Sequence, residues 1–161
     1  MMNPRSIPWL ESIKLMISRP EPVQLAALCF RTPQGQDTPE VLLVTSSNGR
    51  WILPKGWPIN GLHSWETALQ EAWEEAGVHR GKPWQDPLTS FSSIKRHPNG
   101  IEQRCSVSVY PVEVEEMRKD YPEADRRQRQ WLSLPQAHDR VDEPALRGVL
   151  QQFEQELAAR A

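Results

Sequence analysis

Three glutamates, Glu71, Glu74 and Glu75, fall within the short stretch Gln70-Glu71-Ala72-Trp73-Glu74-Glu75-Ala76-Gly77. On a helix turning about 100° per residue, they lie at roughly 0°, −60° and 40°. Trp65, Ala68, Leu69, Ala72 and Ala76 occupy the adjoining sector, so the acidic stripe borders the apolar stripe and is not opposite to it. Like charges three and four residues apart repel by a few tenths of a kcal/mol, and by more where they are partly desolvated. Two readings follow. The triplet is a solvated acidic face, or it is a cage in which a hard divalent cation turns that repulsion into ligation, since Mg2+ and Mn2+ favour carboxylate and carbonyl oxygens. No lysine or arginine lies between Ser64 and Ala76 to neutralise the acids from within.

The elements around the triplet must hold it in place. Ser64 is an N-cap candidate with Glu66 in the first turn, and Gly77 is the expected left-handed stop, so a helix is expected to run to Ala76. Upstream, Trp51-Ile52-Leu53 is a short strand ended by Pro54, and Pro54 to His63 is a loop containing Gly56 and Gly61. Val23 to Phe30 and Val41 to Val44 are apolar runs of strand length. Residues 79–87 read as a Pro- and Gly-bearing loop, followed by strands over Leu88 to Lys95, Arg104 to Val114 and Gln130 to Leu134. His97-Pro98-Asn99-Gly100 is a hairpin turn. Leu146, Val149, Leu150, Phe153 and Leu157 mark an amphipathic helix near the end, and Trp9, Ile13 and Met16 mark a looser one from Pro8 to Ser18. This order predicts a mixed sheet flanked by helices.

Length and composition narrow the class. A chain of 161 residues, 38% hydrophobic and 25% charged, holds one domain with a real core. A net charge of −2 provides no general attraction to nucleic acid or anionic lipid, so an anionic ligand needs a local cluster of cations. No apolar run is long enough to span a bilayer, and the two cysteines, Cys29 and Cys105, are expected as reduced, buried thiols in a cytoplasmic protein. Four scattered histidines and two cysteines have no zinc-ligand spacing.

With these elements laid out, the chain resembles the Nudix hydrolases. Their box runs Gly, five residues, Glu, seven residues, Arg-Glu, an aliphatic residue, any residue, Glu-Glu, any residue, Gly, and an aliphatic residue. Gly56, Glu71, Ala72, Glu74, Glu75, Gly77 and Val78 stand in register with it across residues 56–78. Leu62 replaces the first box glutamate and Gln70 replaces the box arginine. The likeness in element order extends from about Val23 to Phe153. Arg50-Trp51-Ile52-Leu53-Pro54 and Arg126-Arg127-Gln128-Arg129-Gln130-Trp131 look like the branch acting on diphosphoinositol polyphosphates and dinucleoside polyphosphates.

The resemblance implies an α/β (α+β) fold, the Nudix-type α/β/α sandwich with a mixed sheet. It would form a single domain over residues 1–161, with residues 1–20 as an N-terminal helical extension. It also implies Mg2+-dependent hydrolysis of a phosphoanhydride, with Mn2+ able to substitute. Glu71 and Glu75 would ligate metal, Glu74 would assist and the Gly56 carbonyl would contribute. Glu71 or Glu74 would take the proton of the attacking water. The box arginine orients a metal-binding glutamate in the family, and glutamine can donate a hydrogen bond but cannot neutralise charge. Weaker metal affinity or a shifted pH optimum is therefore expected.

A polyphosphate substrate needs cations from outside the helix. Arg50, Lys55, Lys95, Arg104, Arg127 and Arg129 are the candidates, with Ser46 as a hydroxyl donor; each taken singly is an ordinary surface group. Trp57 and Trp84 are expected at the mouth of the site, and Trp51, Trp65 and Trp131 in the core. The expected partner is a phosphorylated small molecule, with no nucleic acid or membrane, and the chain is expected as a monomer or homodimer. An ADP-ribose or NADH-type pyrophosphatase and a non-catalytic Nudix binding module remain as alternatives.

Overall fold

Every residue from Gln24 to Phe30 is buried. A strand covered on both faces belongs at the centre of a sheet with a layer on either side. In the computed structural model, which describes residues 21–161, that strand is β1 (Val23–Arg31). The helix expected over Pro8 to Ser18 lies outside the described residues. β1 runs parallel to β7 (Glu102–Met117) from Val23 to Phe30. It is antiparallel to β2 (Glu40–Thr45) at one end and to the two-residue β4 (Lys55–Gly56) at the other. β2 also pairs with β3 (Trp51–Ile52) and β8 (Arg129–Ser133). β7 is long enough to pair with β6 (Thr89–Arg96) along its first part and with β5 (Val78–Pro83) along its second. One parallel pairing among antiparallel ones makes the sheet mixed.

The alternation of β1 separates two cores. Ala26, Leu28 and Phe30 pack with Leu146, Val149, Leu150 and Phe153 of α3 (Pro144–Arg160). Leu25, Ala27 and Cys29 pack with Ala68, Ala72 and Ala76 of α1 (Ser64–Ala76). The result is the α/β/α sandwich expected from the sequence. Cys29 and Cys105 are free and buried, and burial pushes the Cys29 thiol up to about 12.

Several local expectations are corrected. His63, not Ser64, is the N-cap of α1, and the Glu66 carboxylate accepts its N–H at 3.4 Å. The span read as loop over 79–87 begins with strand β5, whose Val-His-Arg-Gly-Lys-Pro sequence has no alternation. Its pairing with β7 shifts register around Arg80, so the neighbour and not the local pattern decides its conformation. Helix α2 (Leu134–Arg140) was not foreseen, although its signal is present. Ser133 Oγ accepts the Gln136 N–H at 3.3 Å and the Gln136 side chain accepts the Ser133 N–H at 3.1 Å, a reciprocal capping box. Trp84 packs edge-on to Phe30 in the α3-side core under the Arg160 guanidinium, not at a site mouth.

Candidate active site

Gly56 and the acidic helix meet because β4 pairs with β1. Gly56 is opposite Leu25, a residue of the α1-side core, so its Cα faces α1. A Cβ built there would overlap the Glu71 carboxyl group. The requirement for glycine at 56 is therefore one of close approach, since its backbone is not in the left-handed region. The preceding residue, Lys55, donates its backbone N–H to Glu75 Oε2 at 3.1 Å. Glu75 Oε1 accepts from Arg127 Nη2 at 3.1 Å. Glu74 accepts from Gln70 Nε2 at 3.3 Å, so Gln70 serves Glu74 as a neutral donor one helical turn away.

The electrostatics of the group are unusual for surface acids. Burial, the neighbouring Glu74 and the more distant Glu123 push Glu71 up to about 7, against a smaller opposing effect of Arg127. Burial also pushes Glu75 up to about 7, although Arg127 and the Lys55 N–H favour its charged form and Glu71 and Glu123 oppose it. Two half-desolvated carboxylates that resist ionising together have a hard cation as their natural partner. Among the described residues, no three His, Cys, Asp or Glu side chains already converge on one point. This is consistent with mutually repelling acids, one of which, Glu75, is turned toward an arginine. The donor set is all oxygen and Gly56 leaves room beside Glu71, so the residues fit Mg2+ or Mn2+.

The candidate cations do not gather as a single cluster. Lys55 is opposite Ala26, so its side chain extends from the face of β4 away from α1. Burial lowers its pKa; its strongest charge coupling is to Glu143, and it is also coupled to Cys105, Glu75 and Lys95. Lys95 Nζ stands 4.8 Å from the ring centre of Trp57, an exposed indole one residue beyond Gly56. Lys55, Lys95 and Trp57 thus gather next to Gly56, with the Lys55 side chain on the face of β4 away from the α1 carboxylates. Arg104 is opposite Ile94 while Lys95 is opposite Gln103, which puts Arg104 on the other face of the β6–β7 ribbon. Ser46 and Arg50 belong to one turn, where the Arg50 N–H donates to Ser46 Oγ at 3.1 Å and Ser46 Oγ also contacts Asn48. That turn begins next to Thr45, whose carbonyl accepts from Arg127 Nη1 at 2.8 Å.

Arg127 and Arg129 were expected to face substrate, and both are engaged by protein oxygens. The Arg127 side chain is only 18% exposed, bonded to Thr45 and Glu75. Arg129 Nη1 donates to the carbonyls of Ala76 and Arg118, each at 2.8 Å, with its guanidinium over Tyr121. Sequence reasoning missed Glu123. Its backbone N–H donates to Glu74 O at 3.0 Å and its carboxylate lies 3.6 Å from Arg127 Nε. Nothing in the acidic Lys119 to Asp125 stretch distinguishes it from Asp120 or Asp125 before the chain folds back onto α1. A concavity of about 550 Å³ between β8 and α2 has none of these carboxylates in its wall. Arg140 there is already bonded to Gln130 and stacked over Trp51, so the chemistry remains with α1.

Comparison with known proteins agrees with the geometry. Residues 22–153 match the NUDIX domain family. The chain is 34% identical over 115 residues to Nudix hydrolase 16, mitochondrial, of Arabidopsis thaliana, covering 69% of this chain and 63% of that protein. It is 32% identical over 131 residues to the asymmetrical bis(5'-nucleosyl)-tetraphosphatase of Sus scrofa, covering 76% of this chain and 83% of that one. Among solved structures, the Caenorhabditis elegans Ap4A hydrolase superposes with a TM-score of 0.64 at 19% identity, over 86% of this chain and 99% of that one. The NUDIX domain of Shewanella oneidensis NrtR, complexed with ADP ribose, superposes with a TM-score of 0.66 at 17% identity, over 97% and 99%. At such identities the structural likeness establishes the fold. The box register, the sandwich around β1 and the extent of these matches together establish that the chain belongs to the Nudix family.

Proposed function

We propose that the chain is a divalent-metal-dependent hydrolase that cleaves a phosphoanhydride bond in a dinucleoside polyphosphate. The observation that supports this reading is the close approach of Gly56 to Glu71 beside a buried Glu75, an all-oxygen group suited to a hard cation. The Gly56 carbonyl, Glu71 and Glu75 would hold Mg2+ or Mn2+, with Glu74 assisting. When bound, the metal neutralises the diphosphate and lowers the pKa of the attacking water. Glu71 or Glu74 would accept that water's proton at a carboxylate oxygen. As the water oxygen bonds to phosphorus, the bridging P–O bond breaks and its electrons leave with the departing phosphate. Lys55 and Lys95 offset the charge of the phosphate chain, and Trp57 offers a flat surface for a base.

Engagement of Arg127 and Arg129 by protein oxygens leaves few cations for an inositol pyrophosphate, whereas the indole beside Lys95 suits a nucleotide. The similarity to a bis(5'-nucleosyl)-tetraphosphatase supports the same choice. An ADP-ribose-type pyrophosphatase is the second reading, favoured by the likeness to a NUDIX domain complexed with ADP ribose. Phosphate and nucleotide release should be measured with Mg2+ or Mn2+ on diadenosine tetraphosphate, inositol pyrophosphate, ADP-ribose, NADH and nucleoside triphosphates. Diadenosine tetraphosphate is expected to turn over fastest. Preference for inositol pyrophosphate would reverse the substrate assignment. Binding without turnover of any substrate, in wild type as in Glu75→Gln, would leave a binding module.

A further inference from the structure

We propose that Arg127 is the positioning residue for Glu75, supplying from the segment between β7 and β8 the guanidinium that position 70 of the helix lacks. The inference rests on the reading of Glu75 as a metal ligand. Position 70 holds glutamine, and its amide reaches Glu74, not Glu75. Glu75 is instead held from two sides, by the Lys55 N–H on Oε2 and by Arg127 Nη2 on Oε1. Arg127 itself is fixed by Nη1 on the Thr45 carbonyl at 2.8 Å, so its plane is set by two acceptors at once. A planar fork holds two separated donor nitrogens in fixed directions, whereas an ammonium presents its donors from one atom.

The backbone on either side of Arg127 is anchored to the end of α1. The Arg118 N–H donates to Gly77 O at 2.9 Å, the Glu123 N–H to Glu74 O at 3.0 Å, and Arg129 Nη1 to Ala76 O. The third nitrogen of Arg127, Nε, is buried without a hydrogen-bond partner and lies 3.6 Å from the Glu123 carboxylate. One guanidinium therefore holds the helical Glu75 by a hydrogen bond and lies beside the Glu123 carboxylate as an ion pair. Because Arg127 lies far from the box in sequence, the pattern Gln70-Glu71 looks like a lost partner although the cation is present in the fold.

The test is Mn2+ titration calorimetry on metal-free full-length chain, with steady-state kinetics on diadenosine tetraphosphate. Arg127→Gln is expected to weaken Mn2+ binding about tenfold, the scale of losing a partner that orients a metal ligand, and to lower kcat with KM unchanged. Arg127→Lys should fall between wild type and Arg127→Gln. Unchanged Mn2+ affinity with a KM raised about tenfold would make Arg127 a substrate contact and overturn the proposal. If Arg127→Gln does not fold, the same two outcomes are read from Arg127→Lys. Calorimetry needs no substrate, so a wild type that binds Mn2+ without turnover refutes the hydrolase reading alone. Equal Mn2+ affinity in wild type and both Arg127 variants refutes only the role of Arg127.

Discussion

Glu71 and Glu75 both have pKa values raised from 4.5 to about 7, chiefly because folding takes them out of water. The folded chain therefore binds more protons than the unfolded chain between these two values, and the stability of the metal-free protein falls as pH rises through that window. Differential scanning calorimetry should show the metal-free Tm dropping by a few degrees from the acidic to the neutral end. Mn2+ should restore it at neutral pH, and Glu71→Gln should flatten the dependence. A metal-free Tm that rises over the same window would contradict the assigned burial. Gly56 makes the complementary prediction. Gly56→Ala places a methyl group in the Glu71 carboxyl, an overpacking worth about 1–3 kcal/mol unless the carboxylate moves. The expected result is a folded protein with weakened Mn2+ binding and kcat reduced about a hundredfold, read by calorimetry and initial rates.

Helix α1 ends with no basic residue in its last turn, an unfavourable arrangement for the negative end of a helix that carries Glu71, Glu74 and Glu75 in its second half. The segment between β7 and β8 compensates. Gly77, left-handed at φ 75°, turns the chain, and Arg129 and two backbone N–H groups reach the carbonyls of residues 74, 76 and 77. Arg129→Ala removes bonds from a charged donor to two carbonyls, at roughly 1.5–3 kcal/mol each where they are shielded and less for the exposed Arg118 carbonyl. Urea denaturation should show a loss of about 1–3 kcal/mol, with the substrate KM unchanged. A raised KM at wild-type stability would return Arg129 to the substrate role expected from its sequence cluster.

At the scale of the molecule, β1 carries the site on one face and the larger apolar core on the other. Phe153 is fully buried against Phe30 and Trp84 on the α3 side, and α1 is on the opposite side. Phe153→Ala should lower stability by about 3–5 kcal/mol. The Mn2+ affinity of the protein that remains folded should be unchanged, since the helix that carries the carboxylates packs in the other core. Denaturation and calorimetry on the same sample check both statements. A parallel loss of Mn2+ affinity would show that the two cores are coupled through β1. Among the described residues no helix is long and apolar enough to cross a membrane.

Local spacing by itself determined the acidic stripe bordering an apolar one, the Gly77 helix stop, the buried centre strand and the amphipathic α3. Each of these depends on neighbours within a few residues, where helix and strand periods are written directly into residue order. β5 and the partners of the site were beyond that reach. Val-His-Arg-Gly-Lys-Pro becomes a strand because β7 offers it an edge, not because of its own pattern. Lys55 and Gly56, adjacent in the chain, face opposite layers because β4 pairs with β1. Tertiary structure alone decided which cations meet which acids. Arg127 lies 52 positions from Glu75 and Glu123 is separated from α1 by three strands, so their encounter is set by how the β7–β8 segment folds back, an arrangement no local period encodes.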